Sequence, residues 1–335
     1  MFHALSQLAG NGLAALAENL DRIARPNCHW RAAYPMDEVN GNQAATARIW
    51  APLMRAVPDL ERRDLIFVGG YWQSKSLIAA LGHYCGTMEA DWLGLPATGK
   101  TVYLRYGEVW QIGPDGRATE ATLLWDVLDI MRQVGRWPLP PSRGVEGMWP
   151  GPLSGDGLRL VPSDPAQGSA SLEQTLAMHK TLLEFDDKGN LSREALIAMP
   201  QRDHWHPKMM WYGPSGIGTT RGLAGFVDDH QLPFRQTLHR PQGRFEEVNR
   251  ERARHGAGHD IRIGDGPYSV TGGWPSVYAT HMGDNLGGLA PSGKPVFLRV
   301  MDFYLHHEGL IRENWVPIDM LHLYRQMGLD LVLNI

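Results

Sequence analysis

The sequence predicts an α+β protein built twice, as two tandem cone-shaped α+β barrel domains in which a curved antiparallel sheet wraps round helices. Three observations carry this. Thr98-Gly-Lys-Thr-Val-Tyr-Leu-Arg105 returns as Ser292-Gly-Lys-Pro-Val-Phe-Leu-Arg299. After one deleted residue, Glu120 answers Glu313, Asp126 answers Asp319, and Arg132-Gln133-x-Gly135 answers Arg325-Gln326-x-Gly328. A repeat of that period is a whole domain, not a solenoid turn. Near the end of the second copy the apolar period becomes two: Val296, Leu298, Val300, Asp302 and Tyr304 share one face, and Phe297, Arg299, Met301, Phe303 and Leu305 the other. That is a long strand. A helix-led unit closing on a long antiparallel hairpin then gives a sheet curved round helices, with a conical cavity.

The elements follow in order. Residues 1–136 form the first domain, a diverged copy, and 169–335 the second. Between them 137–168 is read as a linker, because Pro138, Pro140, Pro141, Pro150, Pro152, Pro162 and Pro165 among many glycines sustain neither helix nor central strand. Ser171 to Phe185 is a helix, with Leu172, Leu176, His179, Leu182 and Leu183 at helical spacing and Ser171 as its cap. Met209 to Tyr212 is a strand running into a turn, and Arg221 to His230 a helix. Tyr268 to Thr271 and Ser276 to His281 are short central strands. The turn His306-His307-Glu308-Gly309 joins the long strand to Leu310–Ile318, as Gly113-Pro114-Asp115-Gly116 does in the first copy. Asp319 caps the helix Met320 to Met327, and Gly328 ends it.

The 335 residues suit two domains with real cores. A net charge of −4 and no lysine or arginine run speak against nucleic acid and anionic membranes as partners and for a small-molecule substrate. Two cysteines make no disulfide framework and no metal cluster, and neither a leader nor a membrane span is read, so the expected location is cytoplasmic. The duplication implies a pseudo-dimer within one chain; a homo-oligomer is the alternative assembly.

The ending Gly309-x-Ile311-x-Glu313-x-Trp315-x-x-x-Asp319 with Arg325-Gln326-x-Gly328 resembles the SnoaL-like polyketide cyclase family of the nuclear transport factor 2-like superfamily. The first copy keeps Gly116, Glu120, Asp126 and the Arg132-Gln133-x-Gly135 tail, with Thr122 in place of the tryptophan. The resemblance implies the cone fold, a deep small-molecule cavity, and cofactor-free acid/base chemistry by an aspartate helped by a histidine in aldol closure. Counted back from the tail, however, the aspartate position holds Val316 and Leu123, and the histidine position holds Asp302 and Glu108. A carboxylate is still offered, from the other strand. It reads either as a relocated acid/base, its pKa raised by apolar walls, or as the partner of an arginine.

Histidines point to the second domain, which holds eleven of fourteen. The expected catalytic set is Asp302 as base with His281 or His206 as partner acid; His204, Trp211, Tyr212 and Arg221 shape the substrate pocket. Gly213, Gly216 and Gly218 before Arg221 lack the glycine-lysine-serine/threonine ending of a phosphate loop, so nucleotide is not expected. The leading function is proton transfer on a cyclic or aromatic carbonyl compound, as in aldol cyclisation, isomerisation or dehydration. One rival is a metal-dependent hydrolase or lyase, with a divalent metal on His204, His206 and His281 beside Asp302. Another is a noncatalytic small-molecule-binding or scaffold protein.

Overall fold

A computed structural model describes residues 1–10 and 12–332. The chain forms two compact units. The segment expected as linker is shared between them: 139–147 belongs to the second unit and 148–162 to the first.

In the first unit, α1 (Phe2–Gly10) and α2 (Leu16–Ile23) lead into β1 (Ala24–Ala32) and the short β2 (Glu38–Asn40). A helix follows in three pieces: α3 (Asn42–Ala45), a widened π segment Thr46–Trp50, and α4 (Ala51–Ala56). Then come β3 (Glu61–Trp72), β4 (Lys75–Thr87), β5 (Thr101–Ile112), β6 (Ala118–Trp125) and α5 (Val127–Gln133). The sheet order is β2-β1-β6-β5-β4-β3, antiparallel except for the parallel pair β1/β6.

The second unit opens on α6 (Pro165–Leu183) and α7 (Arg193–Ala198), then β7 (Trp205–Tyr212) and β8 (Thr219–Arg221). Its broken helix is α8 (Gly222–Phe226), a π segment Val227–Gln231 and α9 (Leu232–Thr237). It continues through β9 (Leu238–His239), α10 (Phe245–Arg254), β10 (Ile261–Asp265), β11 (Tyr268–His281), β12 (Pro295–His307), β13 (Leu310–Trp315) and α11 (Met320–Met327). The order is β10-β11-β12-β13-β7-β8, again with one parallel pair, β13/β7, while β9 pairs with β11. The second sheet thus repeats the six strands of the first in the same order and adds β9. Each unit is the α+β cone expected of the sequence, a mixed sheet with its helices.

The repeated residues prove to be scaffold. Gln133 accepts from the backbone N–H of Tyr103 and donates to its carbonyl, both at 2.8 Å, and Gln326 does the same to Phe297 at 2.9 Å. Arg105 pairs with Asp126 at 2.6 Å, and Arg299 with Asp319 at 3.0 Å. Asp126 and Asp319 each also accept a backbone N–H of the first turn of the helix they cap. Gly328 ends α11 at φ 106°, where a side chain would be strained.

Several boundaries differ from the sequence reading. Asp164, not Ser171, caps α6, since the helix starts nearly two turns earlier at a proline; Ser171 is buried and donates to the carbonyl of Gly266. The helix reaches β10 so closely because Gly168 faces Gly264: a Cβ on either would lie within 2.6 Å of the other's carbonyl oxygen. The two short central strands are one strand, β11, with a register shift between Gly273 and Val277. The segment Arg221–His230 is helical only from Gly222 and widens at Val227.

The interior of the first unit is filled. Trp30, Trp50, Trp110, Trp125 and Tyr84 meet edge to face at centroid distances of 5.1 to 6.4 Å, an arrangement favourable for aromatic quadrupoles. Glu108 lies among them with no exposed surface. It is paired with Arg62 at 2.6 Å and accepts from the Tyr84 hydroxyl and the indole N–H groups of Trp110 and Trp125. Arg62 also pairs with Asp64 at 2.8 Å. Both carboxylate oxygens of Glu108 are thereby used, and the group is structural. Removing one member of such a pair leaves a buried charge uncompensated. Glu108→Ala is therefore expected to lower stability by about 3 to 5 kcal/mol, read by chemical denaturation.

Candidate functional site

In the second unit the corresponding space is a cavity of about 490 Å³. The predicted face of β12 forms one wall through Leu298, Val300, Asp302 and Tyr304, and β13 and its extension add Asn314, Val316 and Ile318. Trp205 and Trp211 come from β7, Phe226 and His230 from the broken helix, His179 from α6, and Phe245 and Arg252 from α10. Most of this surface is apolar or aromatic, with a few convergent polar groups, as small-molecule sites usually are.

The placement of Asp302 is a consequence of strand alternation. Residues of even number on β12 face the cavity, so the carboxylate is delivered among Leu298, Val300 and Tyr304. It retains some accessible surface, which faces the cavity, yet burial pushes its pKa from 3.8 up to about 7. Side-chain bonds from Asn314 and Tyr304 oppose that rise, and among the described residues no basic side chain pairs with it. The Tyr304 hydroxyl is also 2.8 Å from Nε2 of His179, whose ring meets His259 edge-on at 5.0 Å. Burial holds His179 down to about 3 and His259 well below its ordinary value, so both rings are neutral near pH 7. Tyr304 thus stands between His179, to which its hydroxyl is bonded, and Asp302, whose ionised form it favours.

Of the other residues singled out from the sequence, Trp211 lines the cavity, where His230 stacks on it at 4.0 Å and 14°. The rest do not. His281 is fully buried at the end of β11; its Nδ1 accepts from the backbone N–H of Ser292 at 3.3 Å, and its Nε2 lies 2.9 Å from the carbonyl of Gly283. Both nitrogens are spent on the turn. His206 accepts from the backbone N–H of Lys208 at 3.0 Å and stands 3.9 Å from Glu308, outside the cavity lining. His204 ends the helical turn Pro200–His204, so the chain is not extended there and the two imidazoles do not share a strand face. Tyr212 points to the opposite face of β7 from Trp211, donates to Glu313 at 2.9 Å and stacks on Trp315. Arg221 is exposed on the edge strand β8. Among the described residues no three His, Cys, Asp or Glu side chains are grouped to hold a metal ion. The set His204, His206, His281 and Asp302 therefore does not fit a divalent metal.

The polar cavity-lining residues that the sequence reading missed are His179, Asn314 and Arg252. His179 was visible only as one position on a helix face. Tyr304, by contrast, shares the strand face of Asp302 and was legible there. A second cavity of about 390 Å³ has His230 and Phe234 in common with the first and is lined by Arg143, Asp229, Asp284 and Tyr324.

No sequence-family model and no curated protein matches the chain. Solved structures do. A candidate SnoaL-like polyketide cyclase from Jannaschia sp. CCS1 aligns at 20% identity and TM-score 0.33, covering 42% of this chain and 92% of that one. IdmH, a candidate polyketide cyclase from Streptomyces antibioticus, aligns at 16% and 0.32, covering 40% and 95%. An NTF2-like protein of unknown function from Burkholderia pseudomallei aligns at 15% and 0.30, also covering 40% and 95%. Identities this low assign no activity, and the fold is read from strand order and register. Among the described residues no helix is long and apolar enough to cross a membrane.

The raised pKa of Asp302 has a signed consequence for stability. The folded state binds this proton more tightly than the unfolded state, so the contribution of Asp302 to stability falls as pH rises from about 4 to about 7. His179, His230, His306 and His322, held at about 3 to 4, act oppositely: stability is lost as pH falls below 6.5. Comparing Asp302→Asn with the parent isolates the first effect. The variant is expected to be more stable at pH 8 by at most about 4 kcal/mol, with the gain vanishing near pH 4, measured by denaturant titration at both pH values.

Proposed function

We propose that the second unit is a cofactor-independent acid/base enzyme that moves a proton on a cyclic or aromatic carbonyl compound, as in aldol cyclisation, isomerisation or dehydration. The observation that supports this reading is Asp302: a carboxylate at the wall of an aromatic cavity, unpaired with any cation among the described residues, and poised near pH 7. A general base works best when its pKa lies close to the working pH. Trp211, Phe226 and Phe245 supply flat apolar surface for a ring, and the Asp302 carboxylate takes the proton alpha to the carbonyl. Tyr304 and Asn314 favour the ionised form of Asp302, and His179 is bonded to the Tyr304 hydroxyl. These residues replace His281 and His206 as partners of the base.

The test is solvent deuterium exchange into cyclic ketones such as 2-tetralone, followed by proton NMR. The rate should rise with pH through about 7, as Asp302 ionises, and persist in excess chelator. Asp302→Asn should lower it by about 100-fold or more, whereas His281→Ala and His206→Ala should leave the chemical step within about threefold. Tyr304→Phe removes a bond that favours the ionised carboxylate, so its rate profile should move to higher pH. A wild-type rate unchanged in Asp302→Asn would sink the reading.

A further inference from the structure

Arg252, on α10, lies in the wall of the same cavity and is only 5% exposed. Its Nη2 donates to the carbonyl of Ser276, and its Nη1 reaches Asn249 Oδ1 at the long distance of 3.5 Å. Its Nε has no hydrogen-bond partner, and among the described residues no carboxylate pairs with it. Arg240 also lines the cavity. Its one carboxylate, Asp187 at 3.5 Å, is shared with Arg235, which binds it more closely, and the Arg240 Nε is likewise buried without a partner. Burial and the neighbouring charge of Arg240 bring the Arg252 pKa down to about 10, so it stays cationic at neutral pH. A guanidinium held out of water without a counter-ion is costly, because its N–H donors have lost water and gained no anion. Here Arg252 is such a group, and Arg240, paired with Asp187 but with its Nε buried and unused, joins it at the border of a cavity large enough for a ring system.

We infer that Arg252 and Arg240 form a carboxylate-binding wall, and that the ligand of this cavity is an aromatic or polycyclic carboxylic acid bound as its anion. The inference rests on the cavity being the ligand site proposed above, but not on Asp302 being a base. A carboxylate suits the wall because its two oxygens meet planar guanidinium donors, and because the rest of the lining is apolar and matches the ring body. Inorganic anions would leave the aromatic surface unused. The wall would also orient the ligand, with one end fixed by charge and the ring carbonyl presented to the β12 face that carries Asp302.

The experiment compares naphthalene-2-carboxylate with naphthalene-2-carboxamide, which have the same ring and differ in charge, by calorimetry on the full chain at pH 8. The carboxylate should bind at least about tenfold more tightly. Arg252→Met should erase most of that ratio while changing carboxamide affinity by less than about threefold, and Arg252→Lys should keep part of it. Inorganic phosphate should not compete with the carboxylate. Equal affinity for the two probes in the wild type overturns the proposal, with no variant needed. So does an unchanged ratio in folded Arg252→Met; should that variant fail to fold, an unchanged ratio in Arg240→Met does the same. Asp302→Asn should preserve the discrimination. Discrimination without proton exchange would remove the proton chemistry and support the carboxylate wall, whereas exchange without discrimination would overturn the wall alone.

Discussion

The amide of Gln326, bonded to both backbone groups of Phe297, ties α11 to the first turn of β12. Together with the Arg299–Asp319 pair it fixes the closing helix on the long strand that presents Leu298, Val300, Asp302 and Tyr304. The same two devices, Gln133 on Tyr103 and Arg105 on Asp126, close the first unit. The amide contacts are made to a defined backbone position and the ion pairs join two placed side chains, so together they set register and not merely adhesion. The cavity inherits its depth from that register: a one-residue slip of β12 would turn Asp302 out of the cavity.

Given a common frame, the two units differ in what occupies one volume. On the equivalent strand position the first carries Glu108 and the second Asp302. Arg62, Tyr84 and two indoles close round Glu108 and leave it nothing further to bind. Asp302 has Asn314 and Tyr304 but no cation, and the space beside it is open. The contrast shows how a carboxylate's role is set by its neighbours: an arginine from β3, two strands away, makes it cement, and apolar walls without one leave it near its titration point.

Much of this was legible in the chain. The period of two across Val296 to Tyr304 predicts the strand and the face on which Asp302 falls, because alternation is a local property. The repeat predicts two units, and the capping residues Asp319 and Gly328 predict α11. What escaped depends on distant contacts. His179 lies on α6, more than a hundred residues from Tyr304, and the docking of α6 on the sheet, through the Gly168–Gly264 approach and the bonds of Thr175 to Ser269 and His306, brings them together. The pairing of His204 with His206 failed because Pro200 starts a helical turn that runs to His204 and spoils the extended spacing. His281, expected as a partner acid, stands at the end of β11, where the following turn uses both of its nitrogens, a contact that its residue type does not reveal. Arg252 gave no sequence signal, since an arginine on a polar helix ordinarily faces water.

The widened turn in the broken helix occurs in both units, at Thr46–Trp50 and at Val227–Gln231, each time just ahead of a proline, Pro52 or Pro233. A proline there cannot donate to the carbonyl four residues back and crowds it, which opens the turn. The unit with the aromatic interior has it as well as the unit with the cavity, so the distortion does not depend on a cavity beside it. What differs is the passenger. At the matching place the first half carries Ile49, sealed in its core, and the second carries His230, laid flat on Trp211 between two cavities. One backbone irregularity thus carries a different side chain in each unit, and in the second a single residue belongs to the walls of both hollows.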